Sequence, residues 1–451
     1  MRRTILVVAA AAVLAGATYG VRALRDPAPR PDVPAPRAEV ARTDQGFGGA
    51  APGRSSAREV ERLIRAYEER IDQRPTVLDL TFLGRLYVER GRLTGDVGSF
   101  LQADEALRRS LRIYPADLEA RTLHAGVRYT MHDFRGALRI AGEILREDAT
   151  QLGALAVSGD ALLELGRYGE ARDAYERVAA DVPGLPAVDA RLARLAFLRG
   201  AVGEAERLAR RADATAVEDQ LDGAGLAWYR ALRGQIAFDR GAYRASARLY
   251  RSAVRLAPDY PLALAGLGRA LAATGRTAEA VAAYERAVDL LPQPEYAAAL
   301  GDLYALSGRG EDAAARYATV EAAGTLFRAA RVYDRALALY EADHDLRHAD
   351  ALRLTAAELR IRGDVGAWDA RAWALYRAGR LEEARAASDR ALRLGTPSAP
   401  FLYHAGMISA ALGERDRATR ELAEALSIGP AFDPMQAPVA RRTLVSLREG
   451  T

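Results

Sequence analysis

The chain contains no cysteine, no lysine and no asparagine among its 451 residues, and it has only five histidines. Without cysteine it cannot form disulfides, thiolate metal sites or a cysteine nucleophile. With only five histidines, the chain has few side chains for imidazole acid–base chemistry or for a histidine-rich metal centre. These absences favour a non-catalytic protein without cofactor or metal.

Aromatic residues are also scarce, at 7% of the chain, although half of all residues are hydrophobic. The hydrophobic half consists largely of Ala and Leu, while Arg and Glu supply most of the charge. These residue types are strong helix formers. Runs of Val, Ile and Thr bounded by turn residues are missing from the body of the chain. The composition therefore predicts an all-α fold.

The charge is nearly balanced, with a formal net charge of +4. A nucleic-acid-binding protein would gather its arginines on one face with few acidic residues nearby. Here the arginines alternate with acidic residues, as in the segment Glu204–Arg207. This pattern is typical of solvated helix surfaces, so we expect no nucleic-acid partner.

The N-terminus resembles an export signal. Arg2 and Arg3 precede an apolar stretch from Ile5 to Val21, the arrangement of a signal peptide. The stretch also approaches the length that spans a bilayer. Residues 1–21 are thus predicted to be a signal peptide or an N-terminal membrane anchor. Residues 22–56, rich in Pro, Ala and Gly, are predicted to be a disordered linker. The body is expected outside the cytoplasm, in the periplasm, in the cell envelope or secreted.

The remaining chain repeats a spacing of small, aromatic and proline residues. Gly159 is followed at fixed offsets by Leu162, Gly166, Tyr168, Ala171, Tyr175 and Pro183. Gly268 begins the same series with Leu271, Gly275, Ala280, Tyr284, Ala287 and Pro292. The distances from Gly159 to Ala193 and from Gly234 to Gly268 are both 34 residues.

This period and these positions resemble the tetratricopeptide repeat, a helix-turn-helix unit. The resemblance implies a right-handed superhelical solenoid of about ten such units over residues 76–430. Residues 57–75 and 431–451 are then predicted to form capping helices, because an open solenoid end would expose apolar surface. The first Gly of each unit would let its two helices approach closely. The second Gly, such as Gly166 or Gly275, would end the first helix in a left-handed conformation.

Three intervals depart from the period. Gly84 to Gly126 spans 42 residues, which predicts an insertion near residues 94–100. Ala193 to Gly234 spans 41, which predicts another near residues 215–226. Gly301 to Leu337 spans 36, and the repeat there lacks its Gly and Pro, so residues 321–365 are expected to be the most irregular part of the array.

In this family the first helix of each unit lines a concave groove that binds a partner. Carrying the groove positions over gives a mixture of arginines and aromatic residues, the side chains that usually anchor protein binding. We therefore predict a groove for a protein or peptide, with an acidic group in the ligand. The alternative is that Phe197, Trp228 and Phe238 only pack between neighbouring repeats. The predicted groove residues are Arg191, Arg194, Phe197, Trp228, Gln235, Phe238, Arg269, Trp373, Tyr376 and Tyr403.

Catalytic signals are weak. His344 and His348 are four residues apart, a spacing that chelates metals on one helix. The repeat register, however, puts His344 at an inter-helix turn, and the segment lacks the Glu of the zinc-protease motif. The sequence thus predicts an extracytoplasmic scaffold or adaptor, attached to the membrane if the N-terminal segment is retained. The alternatives are a structural component of an export or polysaccharide-secretion assembly and, less favoured, an enzyme or metal-binding protein.

Overall fold

A computed structural model describes residues 57–94, 96–221, 223–330 and 335–450 of the protein. These residues form 22 α-helices joined by turns, and the described part of the chain contains no strand. The prediction of an all-α helix-turn-helix solenoid is confirmed. The predicted signal or anchor (1–21) and linker (22–56) lie outside the described residues. No helix among the described residues is both long and apolar enough to cross a membrane.

The helices follow one another closely along the chain. In order they are α1 (Ala57–Gln73), α2 (Val77–Thr94), α3 (Val97–Ile113), α4 (Leu118–Thr130), α5 (Phe134–Glu147), α6 (Leu152–Glu164), α7 (Tyr168–Asp181), α8 (Pro186–Leu198), α9 (Val202–Glu218), α10 (Gly223–Asp239), α11 (Tyr243–Leu256), α12 (Pro261–Ala273), α13 (Thr277–Leu290), α14 (Pro294–Leu306), α15 (Gly310–Ala330), α16 (Arg335–Asp343), α17 (His348–Ile361), α18 (Val365–Arg377), α19 (Leu381–Leu392), α20 (Ala399–Ala411), α21 (Arg415–Ile428) and α22 (Gln436–Glu449).

The chain divides into two compact units. The first unit comprises the described residues up to Leu195 together with Arg207–Leu232. The second unit comprises Ala196–Glu206 and the described residues from Arg233 onward.

Two glycine positions shape the regular repeats, as predicted. Gly166 ends α6 with φ of +76°, and the following amide, Arg167 N, donates to the carbonyl of Leu162 at 2.8 Å. An L-residue is strained in this left-handed conformation, whereas glycine is not. Within the helix, a Cβ added to Gly159 would lie 2.4 Å from Cε1 of Tyr175. The tyrosine ring of α7 therefore packs directly on the α6 backbone, which fixes the helix pair.

The two insertions lengthen helices. In the regular pair α6 and α7 the helices have 13 and 14 residues, but α9 and α10 have 17 each. Likewise α2 and α3 have 18 and 17 residues. The extra residues extend helices that have already formed. Adding a hydrogen-bonded turn to a helix costs less free energy than ordering a long loop without secondary structure.

The segment 321–365 is irregular where the repeat residues are missing. Helix α15 has 21 residues, whereas α16 has only nine. The turn between α16 and α17 has no glycine, and Asp345 and Arg347 adopt φ of +58° and +37°. Such angles are uncommon for residues other than glycine. The turn is held by Arg347, whose guanidinium bonds the buried carboxylate of Glu341 at 3.0 Å.

In the second unit the first helices of successive repeats form an inner layer. Helix α14 packs against α16, α16 against α18, α18 against α20, and α20 against α22. Helices α14, α16, α18 and α20 each pack also against the second helix of their own pair. Because the first helices approach one another across the repeats, they line the concave side of the array.

The second unit also closes on itself. The backbone amide of Ala431, after α21, donates to the hydroxyl of Tyr243 at the start of α11, at 3.2 Å. The hydroxyl of Thr396 donates to the carbonyl of Leu198 at 2.6 Å. These contacts join positions almost two hundred residues apart, so the inner layer curves strongly enough to return to its own start.

Candidate functional site

The ten predicted groove residues fall in different units. Arg191, Arg194 and Trp228 belong to the first unit, and the other seven belong to the second. Four of the ten are buried, with 3–4% of their surface exposed: Trp228, Phe238, Trp373 and Tyr403. The remaining six are half-buried. The burial of Trp228 and Phe238 favours a role in packing for these two side chains, whereas Phe197 is partly open to solvent.

Both groove arginines of the first unit are already engaged by acidic partners. Arg191 makes two bonds to the carboxylate of Asp160, at 2.8 and 2.9 Å. Arg194 donates to the buried carboxylate of Glu164 at 2.9 Å. An acidic ligand would therefore have to compete with short, charge-assisted bonds within the protein. The prediction of an acidic ligand group now depends mainly on Arg269.

Arg269 lies in the second unit, above the ring of Phe238. The guanidinium carbon is 3.9 Å from the ring centroid, a cation–π contact. Arg269 forms no ion pair among the described residues. Gln235 nearby donates to Asp239 at 2.7 Å and accepts from Tyr250 at 3.1 Å. Burial raises the pKa of Asp239, and Arg269 only partly offsets this effect.

Further along the inner layer, aromatic rings from α18 and α20 stack. The ring of Trp373 lies 4.9 Å from that of Tyr376 and 4.3 Å from that of His404, nearly parallel to both. Tyr403 packs against the same indole at 5.6 Å. The indole nitrogen of Trp373 donates to Asp343 at 2.8 Å. The structure thus brings Trp373, Tyr376 and Tyr403 together around a carboxylate.

His404 is buried within this stack. Its Nδ1 lies 3.0 Å from the carboxylate of Asp369, and its Nε2 has no hydrogen-bond partner among the described residues. Burial opposes protonation of His404, but the neighbouring carboxylates, Asp369 first among them, together outweigh that effect and the pKa is raised. Asp343 and Asp433 add to the increase, which places the imidazole in the same electrostatic environment as these two aspartates.

Sequence reasoning missed the aspartates that surround these rings. Asp239 lies four residues after the predicted Gln235, on the same helix face, so the register could have found it. Asp343 ends a helix in the irregular segment, where the register fails. Asp433 lies in the turn before α22, and the contact between Ala431 and Tyr243 holds this turn beside the start of α11.

The conspicuous histidine pair does not converge on one site. His344 Nε2 lies 2.9 Å from Asp302, whereas His348 Nε2 lies 2.7 Å from Asp345. His344 occupies the turn between α16 and α17, as the register predicted. The described residues contain no cluster of three or more His, Asp or Glu with a geometry suited to a metal ion.

Comparison with known families agrees with this helix geometry. Residues 122–186, 157–219 and 231–295 each match the family model described as tetratricopeptide repeat. The chain therefore contains tetratricopeptide repeats, within an all-α solenoid of helix-turn-helix units. A search of curated proteins finds no relative of this chain.

Several solved structures share the arrangement of paired helices. Yeast Tom70 is 12% identical, with 87% of this chain and 93% of that chain covered at a TM-score of 0.37. Human IFIT1, solved as a dimer with PPP-AAAA, is 12% identical, with 83% and 95% covered at 0.43. The Cut9–Hcn1 hetero-tetramer of the APC/C is 14% identical, with 86% and 93% covered at 0.32. These likenesses concern fold and assign no partner to this chain.

Proposed function

We propose that this chain is an extracytoplasmic scaffold that binds a protein or peptide partner along the inner layer of its repeats, without catalysis. Tetratricopeptide repeats generally act as protein-interaction scaffolds, because their stacked units present an extended concave surface. The observation that carries the proposal is the inner layer of the second unit. There Arg269 lies over the ring of Phe238, and the half-buried Tyr376 stacks on Trp373, whose indole nitrogen donates to the carboxylate of Asp343.

The extracytoplasmic placement is supported by sequence. Arg2 and Arg3 followed by the apolar stretch Ile5–Val21 have the pattern of an export signal. If this segment is retained it anchors the scaffold to the membrane, and if it is cleaved the scaffold is released outside the cytoplasm.

The test is crosslinking of the full-length chain in its native membrane, followed by mass spectrometry. We expect crosslinks from a protein partner to residues of the inner layer. The double variant Arg269→Ala, Tyr376→Ala should reduce them. A matched control, Arg244→Ala with Leu290→Ala, changes exposed residues of the second helices α11 and α13 and should leave them unchanged. Crosslinks confined to the second helices, or equal loss in both variants, would contradict the proposal.

A further inference from the structure

The first unit exposes a group of large apolar side chains near its N-terminal end. Leu78, in the first turn of α2, is 77% exposed. Ile113 and Tyr114, at the end of α3, are 52% and 54% exposed, and Leu118, which begins α4, is 37% exposed. Single exposed apolar residues are common, but adjacent ones mark a surface that something else covers. We call these four residues the proximal patch.

The proximal patch is continuous because hydrogen bonds join the turns that carry it. The hydroxyl of Ser110 in α3 donates to the carbonyl of Val77 at 3.1 Å, which holds the first turn of α2 beside the last turn of α3. The amide of Asp117 donates to the carbonyl of Tyr114 at 3.2 Å, so the chain turns directly into α4. The four patch residues therefore lie together at one edge of these helices.

The patch is not a poorly filled part of the core. Leu80 and Leu107, on the same two helices, are fully buried. Thr81 of α2 and Ser110 of α3 are also buried, and their hydroxyls share a hydrogen bond at 2.9 Å. The helix pair is thus packed without the patch, whose side chains point towards solvent and can contact another surface.

The charges beside the patch favour an anionic surface. Arg74 lies four residues before Leu78 and is exposed, and Arg109 lies one helical turn before Ile113 and is partly exposed. Among the described residues, neither arginine forms an ion pair. The carboxylates adjacent to the patch in sequence are already held: Arg70 bonds Asp79 at 2.8 Å, Arg85 bonds Glu119, and the amide of Ala120 donates to Asp117 at 2.6 Å.

The position of the patch in the chain indicates which anionic surface it meets. Residues 1–21 are the predicted signal or membrane anchor, and the predicted linker of residues 22–56 leads from them into α1. Helix α1 packs on α2, which carries Leu78. A retained anchor would hold the first repeats at a high effective concentration near the bilayer. A lipid surface presents anionic phosphates over an apolar interior, which matches apolar residues flanked by arginines.

We propose that the proximal patch rests on an anionic lipid bilayer and docks the first unit against the membrane. Leu78 and Ile113 would enter the apolar border of the bilayer, and Tyr114 would lie at the level of the headgroups, as interfacial tyrosines do. Arg74 and Arg109 would bond lipid phosphates. The inference rests on a retained N-terminal segment, and it goes beyond the proposed scaffold function because the partner-binding inner layer belongs to the second unit.

The experiment uses the absence of cysteine, which lets a single introduced cysteine carry a label. Full-length chains with Ile113→Cys or, as the control, Val445→Cys receive an environment-sensitive nitrobenzoxadiazole dye and are reconstituted into vesicles of phosphatidylcholine and phosphatidylglycerol. Val445 lies in the second unit and is 51% exposed, almost the same as Ile113. We expect blue-shifted emission and quenching by spin-labelled lipids at position 113, and neither at position 445.

Two double variants of the chain labelled at position 113 test the apolar and the charged contacts. Leu78→Ser with Tyr114→Ser should reduce the quenching at least about twofold, because less apolar surface enters the bilayer. Its matched control, Leu290→Ser with Val445→Ser, changes exposed residues of the second unit and should leave the quenching unchanged. Arg74→Gln with Arg109→Gln should remove the preference for phosphatidylglycerol over phosphatidylcholine alone. Circular dichroism checks that the helices of each variant are intact.

Absence of quenching at position 113, or equal quenching at positions 113 and 445, would overturn the inference. So would dimers that form without lipid and are lost in the Leu78→Ser, Tyr114→Ser variant, because a second copy of the chain would then cover the patch. These results leave the scaffold function standing, since crosslinks at the inner layer test that function. Absence of those crosslinks with quenching intact would count against the scaffold function alone.

Discussion

At the residue scale, two aspartates of one turn have opposite electrostatic surroundings. Desolvation raises the pKa of Asp343 from its ordinary 3.8 to about 6, whereas the pKa of Asp345 is lowered by a bond with His348 and by Arg377. For Asp343, the folded chain holds the proton more tightly than the unfolded chain does. Stability therefore falls as pH rises from about 4 to about 6 and stays lower above that. For Asp345 the sign is reversed, and stability is lost as pH falls.

We therefore expect Asp343→Asn to raise the unfolding temperature at about pH 8 and to have little effect at about pH 4. Asp345→Asn should lower the unfolding temperature at about pH 8, with the difference vanishing in acid. Asparagine tolerates the left-handed backbone of position 345, so the comparison isolates charge. Thermal unfolding followed by circular dichroism over this pH range measures both. If the two variants shift the midpoint in the same direction, the surroundings assigned to Asp343 are wrong.

At the element scale, the turn between α10 and α11 does more than end a helix. Gly241 has φ of +79°, and a Cβ added to it would lie 2.1 Å from the carbonyl oxygen of Ile428. Gly275 ends α12 with almost the same φ of +78°, but no atom of the described residues outside its own turn lies within 4 Å of an added Cβ. One turn therefore takes part in closing the second unit, and the other only reverses the chain.

This pair gives a matched test of the closure. Both Gly241→Ala and Gly275→Ala should lower the free energy of unfolding by about 1–2 kcal/mol, because alanine is strained in the left-handed backbone conformation. Gly241→Ala should lose on the order of 1–3 kcal/mol more, because the Cβ must push α21 away. Hydrogen exchange should also show faster opening around Tyr243 and Ala431 in the first variant alone. Equal losses in the free energy of unfolding would mean that Ile428 moves away from the added Cβ at little energetic cost.

At the scale of the whole molecule, a repeat array depends on how its ends are covered. Helix α22 closes the second unit, and its Leu444 is 7% exposed in a cluster with Leu422 and Phe432. The next residue, Val445, is 51% exposed. Because each repeat contacts mainly its neighbours, loss of packing at this end should open the adjacent helices first.

Leu444→Ala should therefore destabilise the chain by about 2–4 kcal/mol, while Val445→Ala should change stability by less than about 0.5 kcal/mol. Hydrogen exchange should report the loss of protection in α20 and α21 before any change in α4 and α5. Uniform loss throughout the described helices would indicate a single cooperative unit in place of local opening.

The sequence by itself determined the helix pairs, because each pair depends on contacts close in the chain. Gly166 ends a helix through its own backbone, and Gly159 meets Tyr175 only sixteen residues later. Such local rules also gave the period and marked residues 321–365 as irregular. They could not show that Arg191 and Arg194 are already paired with Asp160 and Glu164, because those bonds cross from one repeat to the next.

Only the tertiary structure decided how the second unit closes. Tyr243 and Ala431 are far apart in sequence, and they meet because the second unit curves back on itself. Curvature accumulates from small rotations between successive repeats, which no single spacing records. The sequence therefore determined a repeat scaffold with a groove, while the summed geometry of the repeats decided how far that groove curves.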